Sequence, residues 1–281
     1  MTAATAATVE RRSPLDGVRV TFPRILRAEW VRFRSLRSSW ITLGITVALI
    51  IGLAALACWG RASHWPPHDR GELLSFNPTL QSIGPGAIFG QLAVGVLGVL
   101  LVTGEYATGM VRATMAAVPR RLPVLIARTV VFALLMLAVL VPSVFAAFFL
   151  GQDLLSAKHI DTTIGAPHVL RAVFGAGIYL VGIGLLGMGL GWLLRHTAGA
   201  IASLFGILLI LPLLVHFLPS PWPDNVTKWL PGGVDGTAGV AVWNTHQGAH
   251  SFGPWTGFGV LMAYVAIVLV AAAAMLRTRD V

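Results

Sequence analysis

Two carboxylates and the arginines around them carry the chemistry this sequence offers beside its apolar stretches. Glu29 sits in the segment Phe22 to Trp40. At about 100° per residue, Phe22, Ile25, Leu26, Phe33, Leu36 and Trp40 share one side, with Trp30 at its flank. Arg24, Arg27, Arg32 and Arg34 point elsewhere, so the segment reads as an amphipathic interfacial helix with arginines placed for anionic head groups. A carboxylate on that apolar side is costly unless it is paired with an arginine or a helix N-terminus from elsewhere, or reaches back to water. Glu105 belongs to a second polar stretch, Gly104-Glu105-Tyr106-Ala107-Thr108-Gly109-Met110-Val111-Arg112, which closes on Pro119-Arg120-Arg121. Thr108 as N-cap, good helix formers from Met110 to Val118 and Pro119 as a stop predict a short helix lying across one membrane face. Bounded by an acid and two arginines, such a helix presents a docking surface to a soluble partner.

Other chemistries find little footing. A P-loop needs Gly-Lys followed by Ser or Thr, but the only lysines are Lys158 and Lys228, and neither follows Gly. Gly182-Ile183-Gly184-Leu185-Leu186-Gly187 matches the dinucleotide pattern letter for letter, yet it lies inside an apolar run with no strand before it. Gly187 and Gly191, like Gly86 and Gly90, have the spacing that lets membrane helices pack closely. No H-E-x-x-H or G-x-S-x-G occurs. No metal site is expected; His64/His68 and His246/His250 are spaced i, i+4, but Pro66-Pro67 forbids a helix for the first pair. The single Cys58 excludes an intrachain disulfide.

The elements that must position these residues follow from where charge is missing. The 281 residues hold 20 Lys+Arg and 11 Asp+Glu, or 11% charged, where a soluble domain carries about 25%. Six uncharged windows run to 23 residues or more, each long enough for a helix crossing a hydrocarbon core. The expected fold is an all-α integral membrane protein with spans at about 40–59, 85–103, 129–150, 172–194, 198–218 and 255–276. Residues 1–21 read as a disordered cytoplasmic tail, 22–39 as the interfacial helix and 40–281 as the six-span domain. With the N-terminus inside, 15 of the 20 basic residues fall on the cytoplasmic side, which predicts an N-in, C-in topology. The net charge of +9 is thereby explained without nucleic acid. The spans are free of Asp, Glu, Lys and Arg, which argues against an ion-coupled carrier. Gln91, Thr103, Ser143 and Tyr179 are the candidates to line a pathway, with Ser203 and Tyr264 as further polar handles.

Ala28-Glu29-Trp30 with Arg37-Ser38 before the first span, followed by the Gly104-Glu105-Tyr106 to Gly109-Met110-Val111-Arg112 loop ending in Pro119-Arg120, resembles the permease subunits of type-2 ATP-binding-cassette exporters, particularly small actinobacterial members. The resemblance covers about residues 22–281 and is most specific in the loop. It implies a permease in the cell (cytoplasmic) membrane, working as a homo- or heterodimer. It further implies a separate nucleotide-binding ATPase subunit that holds ATP and Mg, with no cofactor in this chain and no enzyme activity of its own. The segment 22–39 and the short loop helix would be the coupling elements. On that resemblance Glu29, Arg37, Glu105, Tyr106, Thr108, Gly109, Arg112, Pro119 and Arg120 form the ATPase-coupling interface. A small extracellular helical element before the last span would fall within 219–254. The apolar spans suit a hydrophobic or amphiphilic cargo such as a drug, antibiotic, peptide or lipid-like compound. The rival reading is a non-transporting scaffold or sensor that recruits a cytoplasmic partner through the same loop; an ion-coupled carrier is the third.

Overall fold

The computed structural model describes residues 21–35, 37–66, 71, 75–109, 121–215, 217, 219, 222–232, 238–245 and 251–278. The expected tail therefore lies outside the described residues, as does the loop segment with Arg112, Pro119 and Arg120.

Helix α1 (Phe22–Ser35) starts with Pro23 in its first turn, where a missing N–H costs nothing, and buries Ile25, Glu29 and Phe33 at i, i+4, i+8. It ends earlier than expected, at Ser35, and α2 (Arg37–Ser63) begins two residues later, so Trp40 belongs to α2. Phe33 meets the Trp40 ring edge-on at 5.9 Å, and Trp40 Nε1 donates to the Arg34 carbonyl at 3.3 Å, bracketing the corner.

The remaining long helices are α3 (Pro78–Thr108), α4 (Arg121–Ser156), α5 (Val169–Leu194), α6 (Thr197–Val215) and, after a broken stretch, α9 (Pro254–Thr278). With α2 they make, among the described residues, six helices long and apolar enough to cross a membrane. No strand occurs among the described residues. This is the fold of a multi-pass membrane protein.

Most of these helices run past the expected spans. Asn77 caps α3, its Oδ1 accepting from the Thr79 and Leu80 amides at 3.0 and 3.1 Å, so α3 starts seven residues before Pro85, which lies inside it. His196 caps α6 in the same way, its Nδ1 accepting from the Gly199 amide at 3.1 Å. A π-helical turn, Gly206–Ile210, interrupts α6.

The central helix is α5, buried over most of its length and packed on α3, α4 and α9, while α2, α6 and α9 keep most of their surface outward. Glycines allow that centre. A Cβ on Gly187 would collide with the Gly95 carbonyl, and one on Gly98 with the Gly184 carbonyl, so α3 and α5 touch backbone to backbone. Gly86 does the same against the Ile50 carbonyl, and Gly191 approaches that of Val99. The close packing expected of Gly86, Gly90, Gly187 and Gly191 is thus present, and it accounts for the glycine pattern of 182–187.

Between α6 and α9 come the short helices α7 (Trp222–Val226) and α8 (Ala238–Ala241). The stretch expected to hold a small helical element thus has short helices, and its described part folds into the bundle. Leu230, Ala238, Val240, Val242 and Trp243 are all buried, and Arg171 of α5 donates to the Val242 and Asn244 carbonyls at 3.2 and 3.1 Å.

Candidate functional site

Four charged side chains from three helices meet where α3 ends and α4 begins. Arg128, on the second turn of α4 and 2% exposed, uses both edges of its guanidinium. Its Nε and Nη2 donate to Glu29 of α1 at 2.9 and 3.0 Å, and its Nη1 and Nη2 donate to Glu105 of α3 at 2.6 and 3.1 Å. Arg32 of α1 closes the group through ion pairs to Glu105 and, at 3.5 Å, to Glu29. Burial, and after it the positive charge of Arg128, pulls the Arg32 guanidinium below its ordinary value. The four charges sum to zero, and both acids accept doubled, charge-assisted hydrogen bonds from Arg128, the arrangement that makes a buried ion cluster tolerable. The Arg128 guanidinium also lies over the Trp192 ring of α5, 5.2 Å from its centroid.

The partner expected for Glu29 is therefore an arginine. The position of that arginine corrects the span boundaries drawn from the sequence. Those boundaries put Arg128 and Glu105 in the loop outside the second and third spans, but both lie inside long helices and are buried. Thr108 is likewise the last residue of α3 and not an N-cap; Gly109 follows at φ 71° as the left-handed C-cap. Tyr106 is part-buried beside the cluster, edge-on to Trp192 at 6.2 Å, and Arg37 is exposed at the start of α2. Arg32, Arg128, Trp192 and Arg195 join the site only in the structure. Of these, Arg32 carries a usable signal in the sequence, standing three residues after Glu29 on the same helix.

The pathway candidates divide. Gln91 and Tyr179 are brought together, the tyrosine hydroxyl donating to Gln91 Oε1. Thr103 and Ser143 instead spend their hydroxyls on the Val99 and Val139 carbonyls of their own helices. All four are buried within the single chain. An open apolar groove of about 600 Å³ lies between α4 and α9, lined by Leu125, Ile126, Val130, Leu269, Val270 and Arg277 among others. Among the described residues no three His, Cys, Asp or Glu come together to hold a metal.

No protein-family model matches the chain, and no curated protein matches it.

Proposed function

We propose that the chain is the membrane-spanning subunit of an ATP-binding-cassette exporter, dimeric, set N-in and C-in in the cytoplasmic membrane. It moves a hydrophobic or amphiphilic compound with energy from a separate ATPase subunit. The observation that carries this reading is Arg128, which holds α1 through Glu29 and α3 through Glu105 while sitting near the start of α4. The connection 109–120 leaves α3 and enters α4 on either side of that lock. A push on the connection or on α1 therefore reaches two spans at once, because buried charge pairs resist separation. The two lysines, neither in a P-loop context, support an external energy source. The uncharged stretches of the spans support an apolar cargo.

The test is co-purification with a P-loop ATPase encoded nearby, followed by ATP-dependent flux in sealed vesicles. Glu105→Ala and Arg112→Ala should lower flux per ATP hydrolysed. Failure of any such ATPase to bind, or unchanged coupling in both variants, overturns the reading. Binding without any flux would favour the scaffold.

A further inference from the structure

The ion cluster engages Glu29 and Glu105 and leaves neighbouring donors unserved. Arg195, which closes α5 in the left-handed conformation at φ 55°, lays its guanidinium over the Tyr106 ring at 5.6 Å. Tyr106 in turn meets Trp192 edge-on. Nε and Nη2 of Arg195, Oη of Tyr106 and Nε1 of Trp192 are each shielded from solvent and lack a hydrogen-bond partner. All four can donate, and an orphaned buried donor carries its full desolvation penalty.

The chemistry of the missing acceptor can be read from the donors. Nε and Nη2 form the side-on edge of one guanidinium, two parallel N–H groups spaced for two oxygens of a single oxyanion. Arg128 uses the same edge on Glu29. Among the described residues no acid does likewise for Arg195: Glu29 and Glu105 are held by Arg128 and Arg32, and residues 109–120 contain no Asp or Glu. A carboxylate would satisfy the fork alone. A phosphate has further oxygens for the tyrosine hydroxyl and the indole N–H.

We propose that Arg195, Tyr106 and Trp192 form a binding site for a phosphate group, supplied by a phospholipid or as inorganic phosphate. Occupancy ties the end of α3 to the α5–α6 turn, one residue from Glu105. The fork is shielded in this conformation, so the phosphate enters as the end of α3 loosens, and binding is linked to the helix end that the ion cluster holds.

The experiment measures the thermal unfolding midpoint of the full chain in a neutral maltoside detergent. One arm titrates sodium phosphate against sodium chloride at matched ionic strength; the other adds phosphatidylglycerol against diacylglycerol, which lacks the phosphate. The expected result is a saturable rise in midpoint in one arm, and that arm names the source. Arg195→Gln should abolish the rise. Arg195→Lys, which keeps the charge but loses the fork, should weaken half-saturation by about tenfold, and so should Tyr106→Phe, which loses one hydrogen bond. Arg61→Gln removes the same charge elsewhere and should respond as the unmodified chain does. Tyr106→Phe keeps the ring, so it remains readable if Arg195→Gln does not fold. Equal responses with and without the Arg195 and Tyr106 groups would mean an adventitious ion only. That result, or no rise in either arm, overturns the proposal.

Discussion

Arg128 grips Glu29 through Nε and Nη2, at 2.9 and 3.0 Å, across a separation of 99 residues. The bond joins a helix preceding the first span to the helix forming the third, and the second edge of the same guanidinium holds Glu105 of the helix between them in sequence.

Removing Arg128 alone strips each of two buried carboxylates of a doubled hydrogen bond. Arg128→Ala should therefore cost about 3–5 kcal/mol. Neutralising these three groups together (Glu29→Gln, Glu105→Gln, Arg128→Gln) should recover much of that loss, since no uncompensated acid remains and the partly exposed Arg32 can turn to water. Thermal unfolding in detergent reads both, and a triple variant no more stable than Arg128→Ala would contradict the account.

The α3–α5 contact gives a sharper contrast among glycines. Gly98→Ala and Gly187→Ala must push backbones apart and should each destabilise by about 1–3 kcal/mol. A methyl group placed on Gly52 of α2 would have nothing within 4 Å, and Gly52→Ala should be neutral or stabilise by up to about 1 kcal/mol. Unfolding midpoints of the three variants decide it.

This close contact and the six long helices are legible in the sequence for the same reason: the membrane removes alternatives. A window without charge and long enough to cross has one economical structure, a helix, and small residues four apart have one economical use, a neighbour. The charge cluster is half legible. Glu29 on the apolar side of α1 announces that a partner must exist. Arg128 is hidden because a charge beside an apolar window marks the end of a span, whereas Arg128 and Glu105 neutralise one another and so can lie inside long helices. Gly109 carries a second signal: a glycine after a helical run marks its C-cap, which extends α3 through Thr108 and competes with Thr108 as an N-cap. The inward fold of the stretch around Leu230 and Trp243 is least legible, since its glycines and prolines suit an exposed loop as well as tight packing.

Topology can be checked by thiol labelling, helped by the buried position of the single native Cys58. With the N-terminus inside, Lys158→Cys, exposed in the α4–α5 connection, should react with an impermeant maleimide added to intact cells. His196→Cys, exposed in the α5–α6 turn, should react only after permeabilisation. The reverse pattern would invert the assigned sidedness.

Arg171 anchors the folded-in stretch through two backbone carbonyls. Arg171→Ala should release residues 238–245 without melting the bundle, because hydrogen bonds to a charged donor contribute about 1.5–3 kcal/mol each. Amide exchange should speed in those residues and remain slow in α5; uniform acceleration of both would show that the arginine serves the bundle as a whole.

The zero-sum cluster also imposes an order on biosynthesis. Glu29 and Glu105 emerge from the ribosome before Arg128, and until α4 is made Arg32 is the one cation of the cluster at hand to offset the two acids. A nascent chain halted before α4 therefore lacks the guanidinium that donates to both acids, and the charge cluster that ties α1 to α3 is incomplete. Completion of the third span supplies that cation, so the junction of the three helices closes only once Arg128 has been made.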